Sequence, residues 1–168
     1  MTKDFAKLPY RPCVGIVLVN TEKLVWIGRR IVQRNDEEAT GVGMWWQMPQ
    51  GGIDEGEDIQ AAALRELTEE TGVTSAEFVG EIPSWLSYDL PDHLIGVSWK
   101  GRYRGQKQKW VVFRFTGEDA EIDISGVGHK PEFDDWRWAP MEEVVDLIVP
   151  FKRPVYEALA KEFAAFEK

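Results

Sequence analysis

Between the breaker cluster Pro49-Gln50-Gly51-Gly52 and Gly72 lies a single helical segment, and it limits this chain more than any other feature. Asp58 and Glu57 suit a helix start, Gly72 suits a stop, and the spacing predicts a helix from Asp58 to Thr71. At 100° per residue, Glu66, Glu69 and Glu70 project within about 100° of arc. Ile59, Ala63, Leu64 and Leu67 cover the neighbouring arc and are expected to face a core. Two carboxylates ~6 Å apart repel by roughly 3 kcal/mol at an effective dielectric near 20. Three on one arc are a poor choice for stability alone. A hard divalent cation reverses the sign of that term, takes oxygen ligands and keeps positions open for phosphate oxygens.

The rest of the chain gives that helix its setting. Val14–Val19 and Leu24–Ile27 read as a hairpin about the turn Asn20–Lys23. Phe78–Ile82, Lys109–Phe115 and Trp136–Ala139 read as strands, and residues 31–44 as a loop. Pro140 opens a helix that runs to about Ile148, Pro150 ends it, and a last helix spans Pro154–Phe166. Mixed strands and helices imply a layered α/β or α+β sandwich. At 168 residues and 43% hydrophobic content, one domain with a real core is expected. No run of about 20 apolar residues is present, so no membrane helix is expected. A single cysteine, Cys13, excludes an internal disulfide and reads as a small buried group on the first strand, in a cytoplasmic protein. Most of the tryptophans, Trp110, Trp136 and Trp138 among them, read as core or surface cover, and His93 and His129 receive no role.

Net charge is −9, which disfavours a general binder of duplex DNA. The charge is uneven. Residues 51–73 hold seven acids and one base, Arg65, whereas residues 97–116 hold six bases and no acid. Two solvated faces would account for this; so would an acidic metal site beside a basic phosphate site.

Gly51, Glu57, Arg65, Glu66, Leu67, Glu69, Glu70, Gly72 and Val73 form the pattern G-x5-E-x7-R-E-U-x-E-E-x-G-U, where U is aliphatic. At average composition it would arise by chance in a chain of this size about once in 10⁸. This is the Nudix box, and the chain resembles the Nudix hydrolases. The resemblance implies an α/β/α sandwich with a mixed sheet, one domain over residues 1–168, and a loop–helix–loop metal site at 51–73. It implies Mg²⁺, with Mn²⁺ as a possible substitute. Glu66 and Glu70 would be ligands, Glu69 a ligand or the general base, the Gly51 carbonyl a further ligand, and Arg65 would pair with Glu57 to brace the helix. A further glutamate often comes from a distant loop in this family, and Glu132 in Lys130-Pro131-Glu132-Phe133 is the match.

Flanking segments extend the resemblance. They are Tyr10-Arg11-Pro12, Trp46-Gln47-Met48-Pro49-Gln50-Gly51-Gly52, Trp85-Leu86-Ser87-Tyr88-Asp89-Leu90-Pro91, Gly105-Gln106-Lys107-Gln108-Lys109-Trp110, Pro131-Glu132-Phe133 and Phe151-Lys152-Arg153-Pro154-Val155-Tyr156. They are similar to the branch that holds bacterial RNA pyrophosphohydrolases and asymmetric diadenosine tetraphosphate hydrolases. The implied partners are 5′-triphosphate RNA ends or dinucleoside polyphosphates, met by a monomer or weak homodimer. Arg30, Lys107, Lys109 and Lys152 are the phosphate-binding candidates, and Tyr88 is the base-stacking candidate, with core packing as its competing role. Strand alternation puts Lys107 and Lys109 on one face, with Gln108 and Trp110 on the other. Hydrolysis of ADP-ribose or of oxidised nucleoside triphosphates shares the box without the flanking segments. A non-catalytic nucleotide-sensing module usually lacks a box glutamate, and none is missing here.

Overall fold

The computed structural model describes residues 7–31, 45–91, 95, 101–126 and 130–166. Most of the loop 31–44 and both histidines lie outside these residues. The strands are β1 (Tyr10–Val19), β2 (Val25–Arg30), β3 (Trp46–Gln47), β4 (Gln50–Gly52), β5 (Ala76–Glu81), β6 (Leu86–Asp89), β7 (Gly105–Phe115) and β8 (Phe133–Ala139). The helices are α1 (Ile59–Thr71), α2 (Met141–Leu147) and α3 (Arg153–Phe166).

All eight strands join one mixed sheet, ordered β3-β2-β1-β7-β5, with β4 on β1, β6 on β7 and β8 on β2. Among the described strands only β1 and β7 run parallel, in register from Tyr10 opposite Gly105 to Val19 opposite Arg114. Helices cover both faces. Val14, Ile16 and Leu18 of β1, with Val111 and Phe113 of β7, meet Ala62, Ala63 and Leu67 of α1. Val17 of β1, with Trp110 and Val112 of β7, meets Val144 of α2 and Tyr156, Leu159 and Phe163 of α3. Burial on both faces explains why Val14–Val19 is an uninterrupted apolar run. Gly15 is required where the Trp110 indole crosses β1, since a Cβ there would collide with the ring. The α/β/α sandwich with a mixed sheet is therefore the fold.

The hairpin turn is made as expected, with Asn20 Oδ1 accepting from the Glu22 and Leu24 amides. The hairpin itself is minimal: β1 and β2 pair only at Val19 and Val25. β4 takes the rest of that edge, opposite Cys13–Gly15. The breaker cluster thus contains a short strand, and Leu86–Asp89 forms another that periodicity does not reveal. β7 begins at Gly105 rather than Lys109, because β1 and β6 flank its first residues. Leu64 departs from the predicted core arc: it is 40% exposed, and Ala62 is buried in its place. Cys13 is buried, and burial pushes its thiol up to about 11. Trp26 and Trp110 are core, whereas Trp85 is exposed. Among the described residues no helix is long and apolar enough to cross a membrane.

Candidate active site

The acidic helix is fixed at both ends by local chemistry. Asp58 caps the start, its Oδ2 accepting from the Ala61 amide at 3.2 Å. Gly72 ends it at φ 73°, in the left-handed region that favours glycine, and its amide donates to the Thr68 carbonyl. Leu67, Ala62 and Ala63 seat α1 on the sheet, which turns Glu66, Glu69 and Glu70 toward β4.

Arg65 locks the helix to the loop before it. Its guanidinium donates to both Glu57 oxygens at 2.8 and 2.9 Å, to the Gly52 carbonyl at 2.9 Å and to Glu66 Oε1 at 2.8 Å. A planar fork of donors suits this paired geometry, which a lysine cannot reproduce. The guanidinium holds the Glu57 carboxyl down at about 2. Burial raises Glu66 despite the Arg65 contact. Glu70 is pushed well above the ordinary carboxylate range, first by burial and then by the negative charges of Glu66 and Glu132.

Glu66 and Glu70 line a cavity of 460 Å³. Glu66, Glu69, Glu70 and Glu132 supply its acidic side, with Gly51 and Gly52 at the backbone, and Arg11, Arg30 and Lys130 supply cations. Gln47, Gln50 and Gln106 supply neutral amides. Gly51 matters for its missing side chain, since a Cβ there would collide with the Glu66 carboxylate. The Gln50 amide donates to Glu70 Oε2 at 3.1 Å. Glu132 stands just before β8, held where its carbonyl accepts from the Ile31 amide. Among the described residues no three acidic, histidine or cysteine side chains already form a cage for an ion. The donor set nevertheless fits a hard cation. It is all oxygen, its charges repel one another, and the two most buried carboxylates are the ones whose ionised form is penalised.

The structure thus brings together Gly51, Glu66, Glu69, Glu70, Glu132 and Arg30, with Arg65 and Glu57 directly behind. It leaves Tyr88, Lys152, Lys107 and Lys109 off the cavity wall. Tyr88 is 6% exposed and packs 5.6 Å from the Phe151 ring, so it presents no open face for a base. Lys152 is buried, its ammonium 5.5 Å from the Tyr88 ring. Lys107 and Lys109 do share a face, opposite Gln108 and Trp110, but their ammonium groups lie 5.5 and 6.0 Å from the exposed Trp85 ring. Arg104, from the same basic stretch, pairs with Asp89. Sequence reasoning missed Arg11, Lys130, Gln47, Gln50 and Gln106 as wall residues. The flanking segments contain all but Lys130, yet only the pairing of β4 and β7 with β1, and of β3 with β2, shows that they meet.

Residues 9–159 match the model of the NUDIX domain, and the chain belongs to that family. It is a Nudix hydrolase. More particularly, it is 60% identical over 163 residues to a protein of Rhodopseudomonas palustris (strain BisB18) named RNA pyrophosphohydrolase, covering 96% of this chain and 91% of that one. It is 55% identical to the RNA pyrophosphohydrolase of Mesorhizobium japonicum, covering 96% and 94%. Solved structures at lower identity share the fold. An Ap4A hydrolase from C. elegans in a binary complex aligns with a TM-score of 0.64 at 19% identity, over 93% of this chain and 96% of that one. The E. coli dihydroneopterin triphosphate pyrophosphohydrolase aligns with a TM-score of 0.62 at 18% identity, over 90% and 97%.

Proposed function

We propose that this Nudix hydrolase is an RNA 5′-pyrophosphohydrolase, converting a 5′-triphosphate end to a 5′-monophosphate with release of pyrophosphate. The observation that carries the reading is the composition of one cavity: four glutamates on one side, with Arg11, Arg30 and Lys130 supplying positive charge. A polyphosphate calls for both, cations for its own charge and carboxylates that would hold a divalent metal beside it. The names of relatives at 55–60% identity over nearly the whole chain support RNA as the substrate. Dinucleoside polyphosphates present the same phosphate chain and are the expected second substrates.

Glu66 and Glu70 would hold the cation, with Glu69, Glu132 and the Gly51 carbonyl as further oxygen donors. Mg²⁺, or Mn²⁺ in its place, supplies Lewis-acid stabilisation of charge on the phosphate oxygens when bound. Glu69 takes the proton of the attacking water, and the α–β phosphoanhydride bond breaks as the new P–O bond forms. Arg11, Arg30 and Lys130 bind and orient the phosphates. Arg65, anchored on Glu57, holds the glutamates in line. The protein acts in the cytoplasm, as a single domain, alone or as a weak homodimer. Incubation of the protein with 5′-triphosphate RNA and Mg²⁺ should yield pyrophosphate and 5′-monophosphate RNA in equal amounts. Release of orthophosphate alone would contradict cleavage at the α–β bond.

A further inference from the structure

Gln106 and Gln108 stand on one face of β7, and β4 brings Gln50 against them. Gln108 is 1% exposed. Its Nε2 donates to Gln50 Oε1 at 2.7 Å and to Gln106 Oε1 at 2.9 Å. An amide NH₂ has two hydrogens, and these two bonds use both. The Gln108 Oε1 is buried with no partner among the described residues. The reverse sense, with Gln108 accepting from both neighbours, would bury an NH₂ with two unmet donors. Orphaned buried donors are rarer in proteins than orphaned carbonyls, so the observed sense is the one favoured. It leaves Gln50 and Gln106 with their oxygens toward Gln108 and their NH₂ groups turned away from it. Both residues line the 460 Å³ cavity.

We propose that Gln108 is a positioning residue that makes the amide wall of the cavity a donor surface, so that Gln50 and Gln106 each present an NH₂ to the phosphate oxygens of a 5′-polyphosphate. The inference rests on the polyphosphate reading above. Phosphate oxygens only accept, so an amide turned the other way would face them with a carbonyl. A neutral NH₂ gives direction without adding positive charge beside glutamates that have a cation to hold. The Gln50 backbone amide is engaged with Glu70, so this residue links the donor wall to the carboxylate side. Gln108 itself acts only through its two neighbours.

The test is a double-mutant cycle on steady-state hydrolysis of 5′-triphosphate RNA, with Tm followed for every variant. Gln108→Glu replaces the donor by an acceptor of the same shape and should invert both neighbouring amides. KM should rise roughly 10-fold or more, with a smaller change in kcat. Gln108→Met removes the instruction without a charge and should raise KM by less, roughly 3-fold. In a Gln50→Leu/Gln106→Leu background there are no amides left to orient, so neither substitution at Gln108 should move KM further. A KM penalty that persists in full in that background, or an unchanged KM for Gln108→Glu in the wild-type background, overturns the proposal. Should Gln108→Glu fail to fold, the Gln108→Met arm of the cycle decides alone. Failure of the wild-type protein to hydrolyse the RNA would instead overturn the functional reading, before any variant is compared.

Discussion

At Glu70, burial and the neighbouring charges of Glu66 and Glu132 all penalise the ionised carboxylate. Its folded value is raised, so the stability it contributes is complete below the unfolded value and is lost as pH rises through the folded one. Glu70→Gln should therefore raise the Tm of the metal-stripped protein at neutral pH, while lowering turnover at least ~10²-fold. Melting curves in chelator and initial rates at saturating Mg²⁺ check the two halves, and near-wild-type turnover would remove Glu70 from the metal site. Glu57 has the opposite sign. Its value is held at about 2, so the stability from its pair with Arg65 is present above the ordinary carboxylate value and lost as pH falls toward 2. The Tm difference between wild type and Glu57→Gln should be full at neutral pH and shrink steadily below about pH 4. If, as proposed, the glutamates held by Arg65 act on the transition state, Arg65→Ala should lower kcat far more than it raises KM. A pure KM effect would make Arg65 a substrate contact instead.

Among the elements, α1 carries three of the cavity's four glutamates and depends on its ends. Gly72 sits at φ 73°, and a Cβ there would stand 3.1 Å from the Asp123 Cβ. Gly72→Ala should cost roughly 1–2 kcal/mol in urea unfolding, from the left-handed backbone alone. A neutral result would mean that the helix end relaxes freely. The limits of α1 were legible because caps are local: Asp58 and Gly72 act on amides and carbonyls within one turn. β4 and β6 were not legible. Strands of three and four residues carry no period of their own, and the partners β1 and β7 impose them. Leu64 was misplaced for a similar reason, since the width of the buried arc depends on what the helix meets.

For the whole molecule, the site draws on β1, β2, β3, β4, α1, β7 and the loop before β8. The part within residues 51–73 could be read from spacing, because a helix converts spacing directly into direction. Arg11 and Gln106 could not, because their meeting depends on a parallel register between strands nearly a hundred residues apart. The basic stretch 97–116 shows the limit of counting charge by segment. Alternation and pairing send Arg104 to Asp89, and Lys107 and Lys109 to Trp85, while the cations of the cavity come from three other places. If this cavity serves the triphosphate end of RNA, as proposed, that end should outcompete a dinucleotide. A competition in Mg²⁺ between 5′-triphosphate RNA and diadenosine tetraphosphate, scored as kcat/KM, tests it most directly. The expected result is pyrophosphate release with RNA preferred by roughly 10-fold or more, a gap of about 1.4 kcal/mol in transition-state stabilisation. Equal or greater kcat/KM for the dinucleotide would contradict it.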